Sequence, residues 1–420
     1  MKKTKIADSV SGIFLKNTRF KNNSIKISFI LKPEKDEAAA LALVPVMMAT
    51  GSPEFPDFLA LNRKLDSLYG ADVLKSVAKI GDCYQYTLCV RAIGDRFSEN
   101  GNLKAAAELL ASLCFDRYLN GESYPSSDLE REKRIMCEKI ASTLNEKRIY
   151  ASDKAVQIMC KDEPYGYPIF GTQEQVRKIT QESLKTAFDR LMKNAVINIQ
   201  FCGAQCPDDL FDIFKEKFKK IDRSPETDLS QIKKSATKKS DVTEEMNISQ
   251  SKLVIGLRAN ENETDKKQNA VYTVMNDIFG GGTYSKLFTY VREKLSLCYY
   301  CSASLNRKKG VIFVSSGVET ENIEKAKDEI LNQFAKIKNG EISDEEIENS
   351  KRTITGTLKT INDDLSAISG WYSARETDEN PLSPEEFSKA VKSVTKEQII
   401  SAANEFSLDT VFILRPLKEN

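Results

Sequence analysis

SIKISFILKP, residues 24–33, alternates apolar and polar side chains with the period of a half-buried strand. It passes through the acidic stretch Glu34 to Glu37 into an apolar run over 38–49. Far downstream, SKLVIGLRAN (251–260) makes the same move through a polar stretch, Glu261 to Gln268, into a helix-like run from Ala270 to Phe279 that glycine closes. Setting Gly51 opposite Gly280 carries Arg63 onto Arg292, Ser67-Leu68 onto Ser296-Leu297 and Gly81 onto Gly310 with no gap. The order of elements is duplicated.

The duplication continues outward. DCYQYTLCV (82–90) follows Gly81 and VIFVSSGV (311–318) follows Gly310, both strand-like. Helical segments are expected at 103–118, 127–147 and 150–161 in the first half, and at 320–338, 342–361 and 364–375 in the second. Each half closes on a helix and a strand, AVINIQFCG (195–203) and TVFILRP (410–416). Glu182 and Glu397 both follow a Thr-x-Glu helix start, a capping signal found twice. Residues 222–245 carry no hydrophobic period and are rich in Ser, Thr, Lys and Asp, as a surface linker is. The expected fold is α+β: two homologous halves, 1–221 and 246–420, each a mainly antiparallel sheet with helices on one face.

Composition narrows the function. In 420 residues, 62 basic side chains nearly cancel 61 acidic ones, which leaves no global field to hold nucleic acid. No stretch approaches a membrane span, and the lysines at 2, 3 and 5 lead into a segment broken by Asp8 rather than a secretory apolar core. Nine scattered cysteines fit reduced thiols in a cytoplasmic protein. Cys202/Cys206 and Cys298/Cys301 have suggestive spacing, yet on a regular strand Cys298 and Cys301 point to opposite faces. Structural thiols are expected there, with a metal or redox role as the alternative. The chain has no histidine, and catalytic zinc needs three ligands from His, Cys, Asp or Glu, so a self-contained zinc peptidase is not expected.

GGGTYSKLFTYVREKLSLCYYCSA, residues 280–303, resembles the C-terminal signature of the insulinase/pitrilysin (inverzincin) peptidases. A glycine run is followed by Ser285, Leu287-Phe288, Arg292-Glu293-Lys294, Leu297 and Tyr299 in register. PYGYPIFGTQEQVRKITQESL, beginning at Pro164, looks like the close of the family's N-terminal half. The resemblance implies two halves arranged as a clamshell, with H-x-x-E-H on an N-terminal helix holding zinc and supplying a general base. Anchored on Gly51, the first His, the Glu and the second His of that motif fall on Ala42, Pro45 and Val46. The third ligand, a Glu on a later helix, falls near Lys139, with Glu138 beside it. No metal or other cofactor is therefore expected in this chain, and zinc only in a partner subunit.

The resemblance also implies a role for Arg292 and Tyr299 as the family's auxiliary pair, which contacts bound peptide across from the zinc. A guanidinium binds a carbonyl through fixed donors, and a phenol donates to a developing oxyanion. The implied function is a non-catalytic subunit pairing with a zinc-motif homologue and supplying Arg292 and Tyr299 in trans to a peptide substrate. On the LDSLYGA segment (65–71), the nearest resemblance is to bacterial members associated with aminopentanol modification of elongation factor P. The alternatives are a scaffold or interaction protein, or a metal-free peptide-binding homodimer. The Gly280 to Gly282 run lacks the Gly-Lys-Ser/Thr of a phosphate loop and is read as close packing at a helix end. The acidic cluster Glu341 to Glu348 is read as a solvated helix start.

Overall fold

The computed structural model describes residues 2–98, 101–231, 236, 239–259, 266–378 and 380–417. Part of the expected polar stretch before Ala270, residues 260–265, lies outside the described residues, as do linker residues 232–235, 237 and 238. The chain is α+β, with two mixed sheets. The first contains β1 (Lys2–Ala7), β2 (Val10–Lys16), β3 (Asn22–Leu31), β4 (Asp72–Ile80), β5 (Cys83–Ile93) and β6 (Val196–Gly203), in the order β1-β2-β6-β3-β5-β4. The second contains β7 (Ser240–Met246), β8 (Ser251–Ala259), β9 (Cys298–Asn306), β10 (Val311–Val318) and β11 (Phe406–Pro416), in the order β7-β11-β8-β10-β9.

With β1 set aside, the two orders coincide strand for strand. In each sheet one pair is parallel, β2 with β6 and β7 with β11, and the other pairs are antiparallel. The aligned glycines serve one physical need. Gly81 turns β4 into β5 with φ +62° and Gly310 turns β9 into β10 with φ +66°, the left-handed region that a Cβ disfavours. One expectation needs correcting: the stretch read as linker ends in β7, the counterpart of β2. As an edge strand it only half-buries one face, Val242, Glu244 and Met246, against exposed Asp241, Thr243 and Glu245, and the glutamate in that face blurs the hydrophobic period.

The apolar side of the first sheet, including Ile25, Ile27, Phe29 and Leu31 of β3, packs into a core shared with the helices Ala38–Met48, Asn102–Ala111 and Gln181–Asn194. Threonines start the closing helices as expected. Their capping boxes are completed by Ser183 and Gln398, one residue beyond the glutamates named from the Thr-x-Glu pattern. The box needs the third helical residue, and Glu182 and Glu397 are the second.

Helices cover both faces of each sheet, not one. The polar side of β3, with Ser24, Lys26 and Ser28, is as buried as the apolar side. It is covered by residues from the far end of the sequence, the helix Leu365–Ser373 and the turn after it. Lys26 Nζ donates to Ser369 Oγ at 2.9 Å and to Ser373 Oγ. Ser369 Oγ donates to Gln200 Oε1 at 2.6 Å, and Gln85 Nε2 to Glu376 Oε2 at 2.7 Å. Burial pushes the Lys26 ammonium down and the Glu376 carboxyl up, each offset in part by the other's charge.

The second sheet receives the reverse contribution. The helix Lys147–Met159 lays Ala151, Ala155 and Met159 against Val254, Val311, Phe313, Phe412 and Leu414. Gly256 of β8 permits this approach, because a Cβ there would lie 2.6 Å from Met159 Sδ. Just beyond the helix, buried Glu163 pairs with Arg258 at 3.2 Å and with Lys309, while Arg258 Nε reaches Asp409 at 2.9 Å. The compact units are accordingly Met1–Ala141 with Tyr167–Ser230 and Asn362–Pro381, and Ser142–Gly166 with Gln231–Ile361 and Leu382–Asn420. They differ from the duplicated halves of the sequence by these two excursions.

Candidate functional site

The helix Ala38–Met48, in the first unit, carries the positions where the family motif falls. It is apolar all round, as a helix enclosed by protein requires. Ala42 is 0% exposed, Pro45 is buried and Val46 packs partly buried against the same core. Pro45 in the helix interior also has no backbone N–H to give the helical ladder. Lys139 is exposed on the helix Ser126–Thr143, its ammonium 4.1 Å from the Phe170 ring centroid. Neighbouring Glu138 accepts from Arg134 Nη1 at 2.9 Å. A methyl, a pyrrolidine ring and an isopropyl group offer no electron pair, and an ammonium repels a dication, so these residues do not fit zinc. Among the described residues, no three His, Cys, Asp or Glu side chains gather to hold a metal ion.

Arg292 and Tyr299, in the second unit, are brought together. Residues Leu287–Lys294 are wound as a wide turn of π type, in which Leu295 N donates to Tyr290 O at 3.2 Å. Such widened turns are frequent at functional sites. Arg292 leaves this turn toward a cleft of about 410 Å³ lined also by Glu293, Ser296, Leu297, Cys298, Tyr299 and Glu319. Tyr299, the second residue of β9, is 64% exposed. Its phenol, protonated at neutral pH as any ordinary tyrosine is, donates to the Glu319 carboxylate, which pushes it further above its ordinary value. The Arg292 guanidinium stacks 4.7 Å from the Phe288 centroid, with Nε 3.5 Å from Glu293. Both donors are thus held by carboxylates at the mouth of a solvent-filled cleft. Glu319 was not singled out from the sequence: it follows β10, outside the 280–303 signature, and only the pairing of Val318 with Cys298 places it there.

The same pairing overturns the expectation for the cysteines. Between Gly317 and Val318 the register slips, so Tyr300 faces Gly317 and Cys298 faces Val318, leaving Tyr299 as the extra residue of a bulge. One inserted residue shifts the alternation by one. Cys298 and Cys301 therefore share a face, where their thiols are in hydrogen-bond contact beside the Ser316 hydroxyl.

Two other motifs resolve structurally. A Cβ on Gly280 would lie 2.6 Å from Ala303 N, so the glycine run lets the end of the helix Lys266–Gly280 meet the β9 backbone. The acidic cluster starts a helix at Ser343, which forms a capping box with Glu346, and Glu346 also pairs with Lys286 at 2.9 Å.

Residues 178–354 match the family described as the peptidase M16 inactive domain, and the insulinase-like signature at 280–303 falls inside that match. That match covers less than half of the chain, and the helix Ala38–Met48 lies outside it. Likeness to individual proteins runs nearly end to end. The chain is 28% identical over 403 residues, 96% of its own length and 94% of the relative's, to a Bacillus subtilis (strain 168) protein named probable inactive metalloprotease YmfF. A conserved protein from Enterococcus faecalis has the same fold, with a TM-score of 0.90 at 23% identity over 100% of this chain and 99% of that one. So does a peptidase M16 inactive domain from Pseudomonas fluorescens, with a TM-score of 0.82 at 19% identity over 100% of this chain and 99% of that one.

Proposed function

We propose that the chain is the non-catalytic subunit of a two-chain zinc peptidase, binding peptide and supplying Arg292 and Tyr299 in trans to a zinc-bearing homologue. The observation that carries this reading is the cleft itself, which holds an exposed guanidinium and an exposed, protonated phenol side by side. Both are donors, and the chemistry of peptide cleavage calls for donors to a carbonyl and then to the oxyanion formed from it. In the free chain Glu293 and Glu319 occupy these donors. A peptide backbone competes for them, and the zinc-bound nucleophile comes from the partner. Such a chain works in the cytoplasm, and the 65–71 segment associates it with modification of elongation factor P.

The test is reconstitution. The chain is purified alone and with a homologue carrying H-x-x-E-H, and cleavage of an unstructured peptide is followed. Cleavage only in the mixture is the expected result. Cleavage by this chain alone overturns the proposal, and a mixture no faster than the homologue alone leaves a scaffold role in its place.

A further inference from the structure

We propose that Cys298 and Cys301 form an oxidisable dithiol at the edge of the cleft, closing to a disulfide on reaction with a peroxide. The bulge at Tyr299 places both sulfurs on one face of β9 and in contact, an arrangement that residues i and i+3 of a regular strand do not reach. Cys298 also lines the solvent-filled cleft, so a small oxidant has access to it.

Electrostatics separate this pair from the other thiols. The Cys301 S–H donates to the Cys298 sulfur, and together with Ser316 and the Arg292 guanidinium it pulls the Cys298 thiol down to about 7. Cys301, giving up its hydrogen bond on ionisation, is pushed up. Burial instead raises Cys89 and Cys114, takes Cys160 and Cys202 to about 11 and takes Cys206 to about 12. Cys298 thus supplies the thiolate that attacks, and Cys301 remains a protonated partner until it resolves the product.

The step balances. The Cys298 thiolate attacks one oxygen of hydrogen peroxide, the O–O bond breaks, and sulfur gains OH while the other oxygen leaves as hydroxide, which takes from solvent the proton Cys298 had released and becomes water. Cys301 sulfur then attacks Cys298 sulfur and displaces the hydroxyl, which departs as a second water with the Cys301 proton. Two thiols are oxidised and one peroxide is reduced.

Three residues of regular strand advance about 10 Å, whereas a disulfide holds its Cα atoms within roughly 7 Å. The bulge supplies the shortening that a bridge needs, and Tyr299 is the residue it carries. The consequence of bridging for peptide binding rests on the proposed role of Tyr299. The oxidation does not.

The experiment uses the full chain alone, so it is independent of any partner or cleavage assay. Treated with hydrogen peroxide, the protein is expected to lose two hydrogens in intact mass, with the bridge mapped by proteolysis to Cys298–Cys301 and reversed by dithiothreitol. Cys301→Ser is expected to stop at a Cys298 sulfenic acid that dimedone traps. Before oxidation, iodoacetamide is expected to modify Cys298 at least tenfold faster than Cys202. Wild-type protein whose Cys298 and Cys301 both remain alkylatable after peroxide, or whose Cys298 passes to sulfinate with no disulfide, overturns the proposal.

Discussion

The motif helix Ala38–Met48 and the cleft at Arg292 and Tyr299 stand in opposite relation to stability. In the first, the positions onto which the sequence resemblance places a metal motif are filled by packing groups: Ala42 and Pro45 are sealed in the core and Val46 borders it. In the second, a guanidinium and a phenol stand in water, stacked or tethered by single hydrogen bonds. Folding depends on the first region and is nearly indifferent to the second. The identities of Arg292 and Tyr299 are therefore not accounted for by the core, and their proposed role rests on the cleft they line.

Restoring the motif is the strongest way to break this comparison. Ala42→His, Pro45→Glu and Val46→His together place two imidazoles and a carboxylate against a closed core. Overpacking costs about 1–3 kcal/mol at each site and a buried polar group without a partner at least as much again. We expect a loss of more than about 5 kcal/mol in denaturant melts, or failure to fold, and no stoichiometric zinc in the purified protein. A folded variant with one zinc per chain would show that the helix is a latent site rather than core.

The cleft and core also differ in their thiols. Thiolate is the reactive form, so alkylation climbs as pH rises through each thiol's own value. For Cys298 the climb is expected around pH 7, driven by Cys301, Ser316 and Arg292, and for Cys202 only around 11. At neutral pH the larger thiolate fraction is expected to make Cys298 at least tenfold faster, the lower nucleophilicity of its thiolate offsetting part of the gain. Coincident profiles measured by quantitative mass spectrometry would remove the distinction.

Smaller effects sharpen the two ends. Glu319→Gln weakens the tether on Tyr299, and in the reconstituted pair KM is expected to fall by roughly fivefold with little change in kcat. A raised KM would mean that the carboxylate binds substrate. Thr180→Ala removes the cap of the helix Gln181–Asn194, which packs beside the motif helix, and should cost about 1 kcal/mol in urea unfolding.

The duplicated order of elements was legible because β3, β5, β8 and β10 are central strands with strong apolar content, and because Gly81 and Gly310 meet one backbone requirement. What escaped was whatever depends on a partner in space. An amphipathic pattern says that Ala151, Ala155 and Met159 share a face, not that the face belongs to the second sheet. Lys26 looks solvent-facing in SIKISF and is buried because Ser369 and Ser373 arrive from more than three hundred residues away. Edge strand β7 half-buries one side only, with Glu244 between Val242 and Met246, and leaves a blurred period to read. In the candidate site, Arg292 and Tyr299 were singled out through the resemblance of 280–303 to a family signature, and both line one cleft. The bulge that joins Cys298 to Cys301, and the pairing that brings Glu319 to Tyr299, reside in register, which spacing alone does not encode.

Tyr299 is the residue through which the cleft is proposed to serve a partner's chemistry. Tyr299→Phe removes one hydroxyl from an exposed side chain, so the melting curve and the size of the reconstituted complex should stay unchanged. If the phenol donates to the oxyanion, peptide turnover by that complex falls by roughly 10² to 10³ through kcat, with KM little altered. Turnover equal to wild type in an intact complex would contradict the account and leave this chain a scaffold.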